Sequence, residues 1–549
     1  MSTSQSEDST HQVDKPENTE ELDVPEFSLE WKEKIVFASL MCTAFFTSFE
    51  AVGVGPPLPI IAQSLHGTSV QASWVGTGYF VGSSAFQPLF ASFSHIFGRK
   101  IPTLTALLLF LIGTILCSVA HSMPLFLAGR VIQGVGSGGA IAMVDVLITD
   151  LIPLRQRAMY FGFVSLAWAF GTTAGPLAGS SLAQKVTWRW VFWILLPFNV
   201  ISILAVALFL RLRRKERELS EKFGEIDFVG SLLFIASTAA FLLGILFGGV
   251  QYPWKSFHTL LPLVLGAVGL VGFAFYEAMV PKHPVIPMEL FASTTSAAGY
   301  LGIVTTGMTM WAAVYYLPMY YEAVLGYSFV MGAVALLPLT LTVSPAAVVT
   351  GGLVTKMGKY RTLLWIGWAI TVMGTGLITY LKEGMSPPQW IFITLIPGLG
   401  IGMLLSTMQI AVQAAAKEEH AALAAAMVPE LRTYGQAIGL AIFSASFSNV
   451  VKNHLEQSVV LRDRAAELSN DVFTLVQTIK SQPNGAEKEA LIKALWLGTR
   501  SVWIIITPIL AVIAILSFFA RDLNLDRVLL TEHVVPEETR VERKTNKET

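Results

Sequence analysis

The sequence predicts an all-α, polytopic membrane protein with about fourteen transmembrane helices. Hydrophobic residues make up 53% of the 549 residues and charged residues only 14%, which is too apolar for an ordinary soluble protein. Apolar runs of roughly twenty residues, the length needed to cross a hydrocarbon core, recur along most of the chain. A net charge of -1 provides no basic field for nucleic acid, so no nucleic-acid partner is expected.

The apolar runs give the order of the predicted helices. The helix predicted over 427–450 has the weakest support, because the start of its apolar run carries Glu430 and Arg432. We place the helices near 35–61, 72–94, 101–120, 124–148, 158–183, 188–210, 228–250, 258–279, 296–321, 328–351, 361–381, 389–413, 427–450 and 500–520.

The polar stretches predict the orientation in the membrane. Residues 1–34 are polar and acidic and lack a cleavable signal pattern, so we expect a disordered cytosolic tail, and a second cytosolic tail over 521–549. The stretch 451–499 is then a long extracellular loop. Basic residues favour the cytosolic side of a membrane. Here they concentrate in the connections that follow even-numbered helices, which places these connections and both termini in the cytosol. These basic residues are Arg99, Lys100, Arg155, Arg157, the run 211–217, Lys356, Lys359 and Arg361.

A weak internal repeat divides the chain. ASFSHIFGRK at 91–100 and GLVTKMGKYR at 352–361 both follow an apolar run and end in glycine and basic residues. We therefore predict an N-terminal six-helix half over 35–210 and a C-terminal six-helix half over 281–520. A basic cytosolic linker and two inserted helices over 211–280 separate them.

A glycine pattern lies in the fifth run. Gly171, Gly175 and Gly179 fall four residues apart, and Pro176 follows the second of them. Glycines at this spacing share one helix face and admit a close neighbour, while proline bends the helix. The pattern resembles the antiporter signature of the major facilitator superfamily, with Ser180 in place of its last glycine. We expect these residues to set how closely the fifth helix meets a helix of the other half.

Two charged residues inside apolar runs are the candidate proton-coupling pair. Glu50, within 48–62, stands where the fourteen-span drug:proton antiporters of this superfamily have an Asp, and Arg130 with Gln133 and Gly134 resembles the family's Arg-x-x-Gln-Gly motif. At about 1.5 Å per residue, Glu50 falls roughly 22 Å above the cytosolic side of a hydrocarbon core about 30 Å thick, and Arg130 roughly 10 Å below its outer face, so the two depths agree. An acid whose distance from an arginine changes between states can take up and release a proton. A static buried ion pair is the alternative.

A second charged motif follows the second run. Gly98, Arg99 and Lys100 match the end of the family motif Gly-x-x-x-Asp-x-x-Gly-Arg-Lys, with His95 at the Asp position. In the family this Asp and Arg form a cytoplasmic charge lock, so another carboxylate is needed here, and Asp150 is the candidate. The alternative is that Arg99 and Lys100 only follow the positive-inside rule.

Further polar and aromatic residues are candidates for the transport path. Asp145 extends the proton path towards the cytosol or is a solvated interfacial acid. Gln133 and the aromatic pair Trp311 and Tyr315, which share a helix face, are expected to line a cavity for flat amphipathic ligands. Arg432 resembles the arginine that opens span 13 in the family, and it either lines the cavity or extends to lipid headgroups.

The resemblance covers residues 31–525 and implies the major facilitator fold with two inserted helices, which works by alternating access. It implies proton-coupled efflux of amphipathic organic compounds, similar to fungal toxin and multidrug pumps. A siderophore or other metabolite carrier, or a non-transporting membrane sensor, is the alternative. We expect a monomer in the cell membrane, with a vacuolar or vesicle membrane as the alternative. No P-loop, metal-ligand cluster or catalytic cluster is evident, so no cofactor, no metal and no enzymatic activity are expected.

Overall fold

The computed structural model of the protein is almost wholly helical. Within the part it describes there is no β-strand. Most of the two predicted tails and of the basic run after Arg211 lies outside the described residues. These are 29–211, 224–248, 251–458, 461–465, 468 and 472–526.

Fourteen long helical segments within the described ranges follow the order of the predicted spans. They are α1 (Trp31–Gly53), α2 (Ser69–Phe97), α3 (Lys100–Val119), α4 (Met123–Leu151), α5 (Leu154–Lys185), α6 (Trp190–Phe209), α7 (Phe228–Phe247), α8 (Phe257–Met279), α9 (Thr294–Val324), α10 (Val330–Met357), α11 (Arg361–Ile378), α12 (Pro387–Ala415), α13 (Ala421–Glu456) and α14 (Ala486–Ser517). Among the described residues, two shorter α-helices, Leu58–Ser64 and Val472–Ser481, lie outside this series, as do the 3-10 helices Met288–Phe291, Glu418–His420 and Arg462–Arg464.

Eleven of these helices are long and apolar enough to cross a membrane, counting only the described residues. The other three are α2, α5 and α13. Helices α2 and α13 pack against each other, and α5 packs against α1 and α10. A helix that meets other helices rather than lipid can carry more small and polar residues. The all-helical class is confirmed, whereas the count of fourteen spans stays a prediction.

The packing of the first six helices recurs in the last six. In the N-terminal half, α1 packs on α5, and α4 packs on both α2 and α3. In the C-terminal half, α9 packs on α13, and α12 packs on both α10 and α11. Each pair is reproduced eight helices later, which supports the predicted division into two related halves.

The inserted helices α7 and α8 pack against each other as a hairpin. Helix α7 also contacts α2 of one half and α13 of the other, while α8 exposes large apolar residues such as Phe257, Val268 and Phe275. The hairpin therefore lies beside the junction of the two halves, with α8 facing outward.

The two halves meet closely at one end of the bundle, which we call the basic end because Arg99, Arg155 and Arg157 lie there. Helices α5 and α10 pack together at this end, and Arg155 Nε donates to the carbonyl oxygen of Thr355 over 2.8 Å. The chain after α14 returns to the basic end, where Leu525 is buried. The basic end is therefore closed in this structure.

The stretch 451–499 is more helical than the sequence predicts. Helix α13 continues to Glu456, the helix Val472–Ser481 follows, and α14 begins at Ala486 rather than near residue 500. The first turns of α14 bury Leu491 and Leu495 while they carry charged residues elsewhere. Because the apolar residues there are confined to one face, a search for continuous apolar runs misses these turns.

Candidate functional site

Glu50 lies in the last turn of α1 and its side chain is fully buried. The helix ends at Gly53, and the chain turns before Pro57 precedes the short helix Leu58–Ser64. Proline lacks the backbone donor that a continuous helix needs. The proline pair in this sequence thus ends α1 one turn after Glu50 and keeps the carboxylate inside the bundle.

Arg130 of α4 forms an ion pair with Glu50 through its Nη1 and the Oε1 of the carboxylate. Arg130 is 1% exposed, and its guanidinium donates from Nε to the carbonyl oxygen of Val75 over 3.1 Å. Its carbon lies 4.4 Å from the centre of the Tyr79 ring. A buried charge is tolerated when it is paired and hydrogen-bonded in this way. The structure thus brings together the two residues that the sequence pairs by motif and by depth.

A polar network surrounds this pair. Gln133 accepts from Arg130 Nη1 over 2.9 Å and donates to Thr114 Oγ1 over 2.8 Å. Sequence reasoning assigned Gln133 to a substrate cavity, but its amide is fully buried in this network. The second carboxylate oxygen of Glu50, Oε2, has no hydrogen-bond partner among the described residues. It is therefore the oxygen free to receive a proton.

The glycines of α5 pack against α1 of the same half, which corrects the expectation that they meet the other half. A Cβ added to Gly175 would collide with the carbonyl oxygen of Phe49 and lie 3.2 Å from Gly53 N. Gly171 and Gly179 lie in the same way against the α1 backbone, one turn to either side. Spacing alone indicates a close neighbour but not which helix it is. The glycine face of α5 thus supports the turn of α1 that carries Glu50, and Pro176 lies half-buried beside it.

At the basic end, Arg99 pairs with Asp150. Arg99 Nε lies 2.6 Å from Asp150 Oδ2, Nη2 lies 3.4 Å from Oδ1, and both side chains are buried. Gly98 ends α2 with φ of 79°, a left-handed conformation that favours glycine. Lys100 donates to the carbonyl oxygen of Ala207 over 2.5 Å, and His95 is exposed. The carboxylate that pairs with Arg99 thus comes from the end of α4.

Asp145 of α4 and Arg432 of α13 interact electrostatically across the two halves, and the side chain of Gln409 on α12 reaches the same carboxylate. Both charged residues are half-buried. This association was not evident from the sequence, which assigned Asp145 to the proton path and Arg432 to the cavity separately. Helical spacing cannot show a contact between helices that are almost 300 residues apart in the chain.

The aromatic residues of α9 also reach the other half. The rings of Trp311 and Tyr315 lie 5.4 Å apart between centres, and Trp311 meets Phe80 of α2 edge-to-face at 5.9 Å. Trp311 and Tyr315 are half-buried. Phe80 was missed because an isolated phenylalanine in an apolar run carries no sequence signal. The three rings form an aromatic group between α2 and α9.

A family model described as Major Facilitator Superfamily matches residues 40–440. The chain is 40% identical to MFS transporter L2 of a Phoma species over 93% of this chain and 86% of that protein. It is 32% identical to the MFS-type efflux pump LUC4 of a Fusarium species, covering 94% and 92%. It is 32% identical to the efflux pump FUS6 of Gibberella moniliformis, covering 92% and 90%.

Among solved structures, the human organic anion transporter MFSD10 (TETRAN) matches with a TM-score of 0.54 and 14% identity over 87% of this chain and 99% of that one. The proton:xylose symporter XylE matches with a TM-score of 0.52 and 13% identity, covering 90% and 97%. At this identity the likeness concerns the fold alone. The sequence match, the paired helical halves and the shared fold agree, and the chain belongs to the major facilitator superfamily of multi-pass membrane transporters.

Proposed function

We propose that this transporter exports amphipathic organic compounds, such as toxins or secondary metabolites, in exchange for protons. The observation that carries the proposal is the buried ion pair of Glu50 and Arg130, with one carboxylate oxygen left without a partner. Two relatives, LUC4 and FUS6, are named as efflux pumps, which supports export as the direction.

The coupling step follows from the charges of this pair. Protonation of Glu50 removes the negative charge that balances Arg130 and weakens their attraction. Arg130 keeps hydrogen bonds to Val75 and Gln133, so it stays in place while α1 becomes free to move. Release of the proton restores the pair and draws α1 back towards α4. One buried carboxyl group can in this way link proton binding to a shift between the two access states.

The substrate path lies between the halves. The aromatic group of Phe80, Trp311 and Tyr315 offers flat apolar surfaces, and Asp145 and Arg432 offer opposite charges in the same inter-half region. Aromatic surfaces with a few convergent polar groups suit an amphipathic organic molecule. We assign Asp145 also to the proton path, because its carboxylate interacts with Arg432 and Gln409 of the other half.

We assign the basic end to the cytosol, so that both termini are cytosolic, and the protein to the cell membrane as a monomer. The ion pair of Arg99 and Asp150 then lies at the cytosolic gate. At the same end, Arg157 Nη1 donates to Gln413 Oε1 over 3.2 Å and links the two halves directly. Substrate entry from the cytosol requires these inter-half contacts to break.

The export proposal is tested by compound accumulation in cells. A panel of amphipathic toxins and fluorescent dyes is measured with and without the protein, and with and without a protonophore. The proposal is supported if the protein lowers accumulation and the protonophore restores accumulation to the level of cells without the protein. Accumulation unchanged by the protein across the panel contradicts export of those compounds, and reduction that persists with the protonophore contradicts proton coupling.

A further inference from the structure

Glu430 of α13 is a buried carboxyl group that the proposed mechanism does not use. Its side chain is fully buried, and neither of its oxygens has a hydrogen-bond partner among the described residues. Glu50 differs, because Arg130 balances its charge. A carboxylate buried without a cation or a donor is strongly unfavourable, whereas the protonated acid carries no net charge. The surroundings of Glu430 therefore favour the neutral acid.

Glu430 lies one turn before the contact of α13 with the inserted helix α7. Tyr434 follows it by four residues and so lies on the same helix face, and the two side chains interact electrostatically. The Tyr434 hydroxyl lies 2.6 Å from Thr238 Oγ1 of α7, and its ring meets that of Phe241 at 5.9 Å between centres. We call this contact of α7 with α13 the hairpin seam.

No described cation faces Glu430 from its own helix or from the helices of the hairpin seam. Arg432 lies two residues further on, about 200° round the helix, and its electrostatic partner is Asp145 of α4. Helix α7 contains no ionisable side chain, and neither does α12. The ionisable residues of α2 are Tyr79, which is bonded to α4, and His95, which is exposed at the basic end.

The remaining long helices that pack on α13 supply no counter-charge either, and the short helices Glu418–His420 and Arg462–Arg464 contact its two ends, ten or more residues along the chain from Glu430. Tyr300 of α9 donates to the backbone of α13, and Glu322 at the other end of α9 pairs with Lys480. The other charged residues of α4 are occupied in pairs with Glu50 and Arg99. The charged side chains of α14 lie in its first half, which meets α13 near Phe447, more than four turns from Glu430.

We propose that Glu430 is a second proton-binding site, in the C-terminal half, which holds its proton while the hairpin seam is packed and releases it when the seam admits water. In the release step the carboxyl O–H bond breaks, the proton passes to water, and the carboxylate left behind is solvated. The inference rests on the proposed proton antiport and adds one proton-carrying group to it. It also gives the inserted hairpin a part in transport, because α7 then controls when Glu430 ionises.

The test is an infrared titration of the full-length protein in lipid nanodiscs, which needs no substrate. The carboxylic-acid C=O band is followed as the pH is raised. The wild type is expected to keep a protonated band at neutral pH that disappears in alkali. Glu430→Gln removes this band, whereas Glu50→Gln leaves it in place. A Glu430→Gln spectrum that titrates like the wild type overturns the proposal.

Thr238→Val tests the role of the hairpin seam separately. This variant keeps the acid and the size of the side chain but removes the hydrogen bond to Tyr434. We expect the band to disappear at lower pH than in the wild type, because a looser seam admits water more readily. An unchanged titration overturns control by the seam. The infrared experiment detects the proton on Glu430 directly and involves no transport. If transport proves independent of protons, the proposal of proton antiport fails while the infrared result for Glu430 is unaffected. The two proposals can therefore fail separately.

Discussion

Gly175→Ala tests whether the glycine face of α5 supports the turn of α1 that carries Glu50. In an open helical position, glycine to alanine stabilises by about 1 kcal/mol because alanine loses less backbone entropy. At Gly175 the added Cβ collides with the carbonyl oxygen of Phe49, and the backbone of Gly53 is 3.2 Å away. Neither group can rotate aside. Overpacking of this kind costs about 1–3 kcal/mol, so the variant should be destabilised overall.

Gly272→Ala in α8 is the matched control, because nothing lies within 4 Å of a Cβ added there. Unfolding by SDS in mixed micelles compares the two variants with the wild type. We expect Gly272→Ala to be as stable as the wild type or more so, and Gly175→Ala to be less stable than both. Gly175→Ala should also impair export, because the backbone beside Glu50 must shift. Equal stability of the two variants would refute the reasoning.

Three further predictions concern the basic end. Arg99→Ala and Asp150→Asn should each lower the free energy of unfolding by about 3–5 kcal/mol, because each leaves a buried charge unpaired. In a double-mutant cycle measured by SDS unfolding, the double variant should lose less stability than the sum of the two single losses, and additive losses would count against the pair. Leu525→Asp places a charge where the side chain is 1% exposed, so limited proteolysis should remove the C-terminal segment faster than in the wild type, and equal rates would show that the segment is not docked. Lys417 lowers the pKa of Glu289 through a hydrogen bond and its charge, so the small stabilisation by this exposed pair is present at neutral pH and is lost as the pH falls through the lowered pKa. In a series of SDS-unfolding measurements at decreasing pH, Lys417→Ala should reduce the loss of stability on the acidic side. An unchanged loss of stability would contradict the assignment.

Much of the fold follows from the length and order of the apolar runs, because the bilayer sets the length of each helix. The pairing of Glu50 with Arg130 was also within reach, because rise per residue fixes the depth of each charge once the orientation is set. The partner of Arg99 could be chosen because Asp150 is an acid at the matching end of α4. These inferences share one feature: they depend on position along the membrane normal.

The rest depends on which helices are neighbours, and spacing within one helix does not encode that. The glycines of α5 revealed a close approach but not that α1 is the neighbour. Gln133 carried a polar signal, yet only the packing of α3 against α4 shows that its amide is used within the network of Arg130. Glu430 stood out in the sequence only as an obstacle to a membrane span. Its lack of a partner is a property of the three-dimensional surroundings.

The central claim, that Glu50 couples protons to transport, is tested most directly with purified protein in proteoliposomes and a substrate from the cell panel. Two activities are measured: uphill accumulation driven by an imposed pH gradient, and downhill exchange without a gradient. The proteins compared are the wild type, Glu50→Gln and the control Glu322→Gln, which removes an ion pair at the end of the bundle opposite the basic end. We expect Glu50→Gln to lose gradient-driven accumulation and keep some downhill exchange, while Glu322→Gln keeps both. Accumulation by Glu50→Gln equal to that of the wild type would contradict the claim.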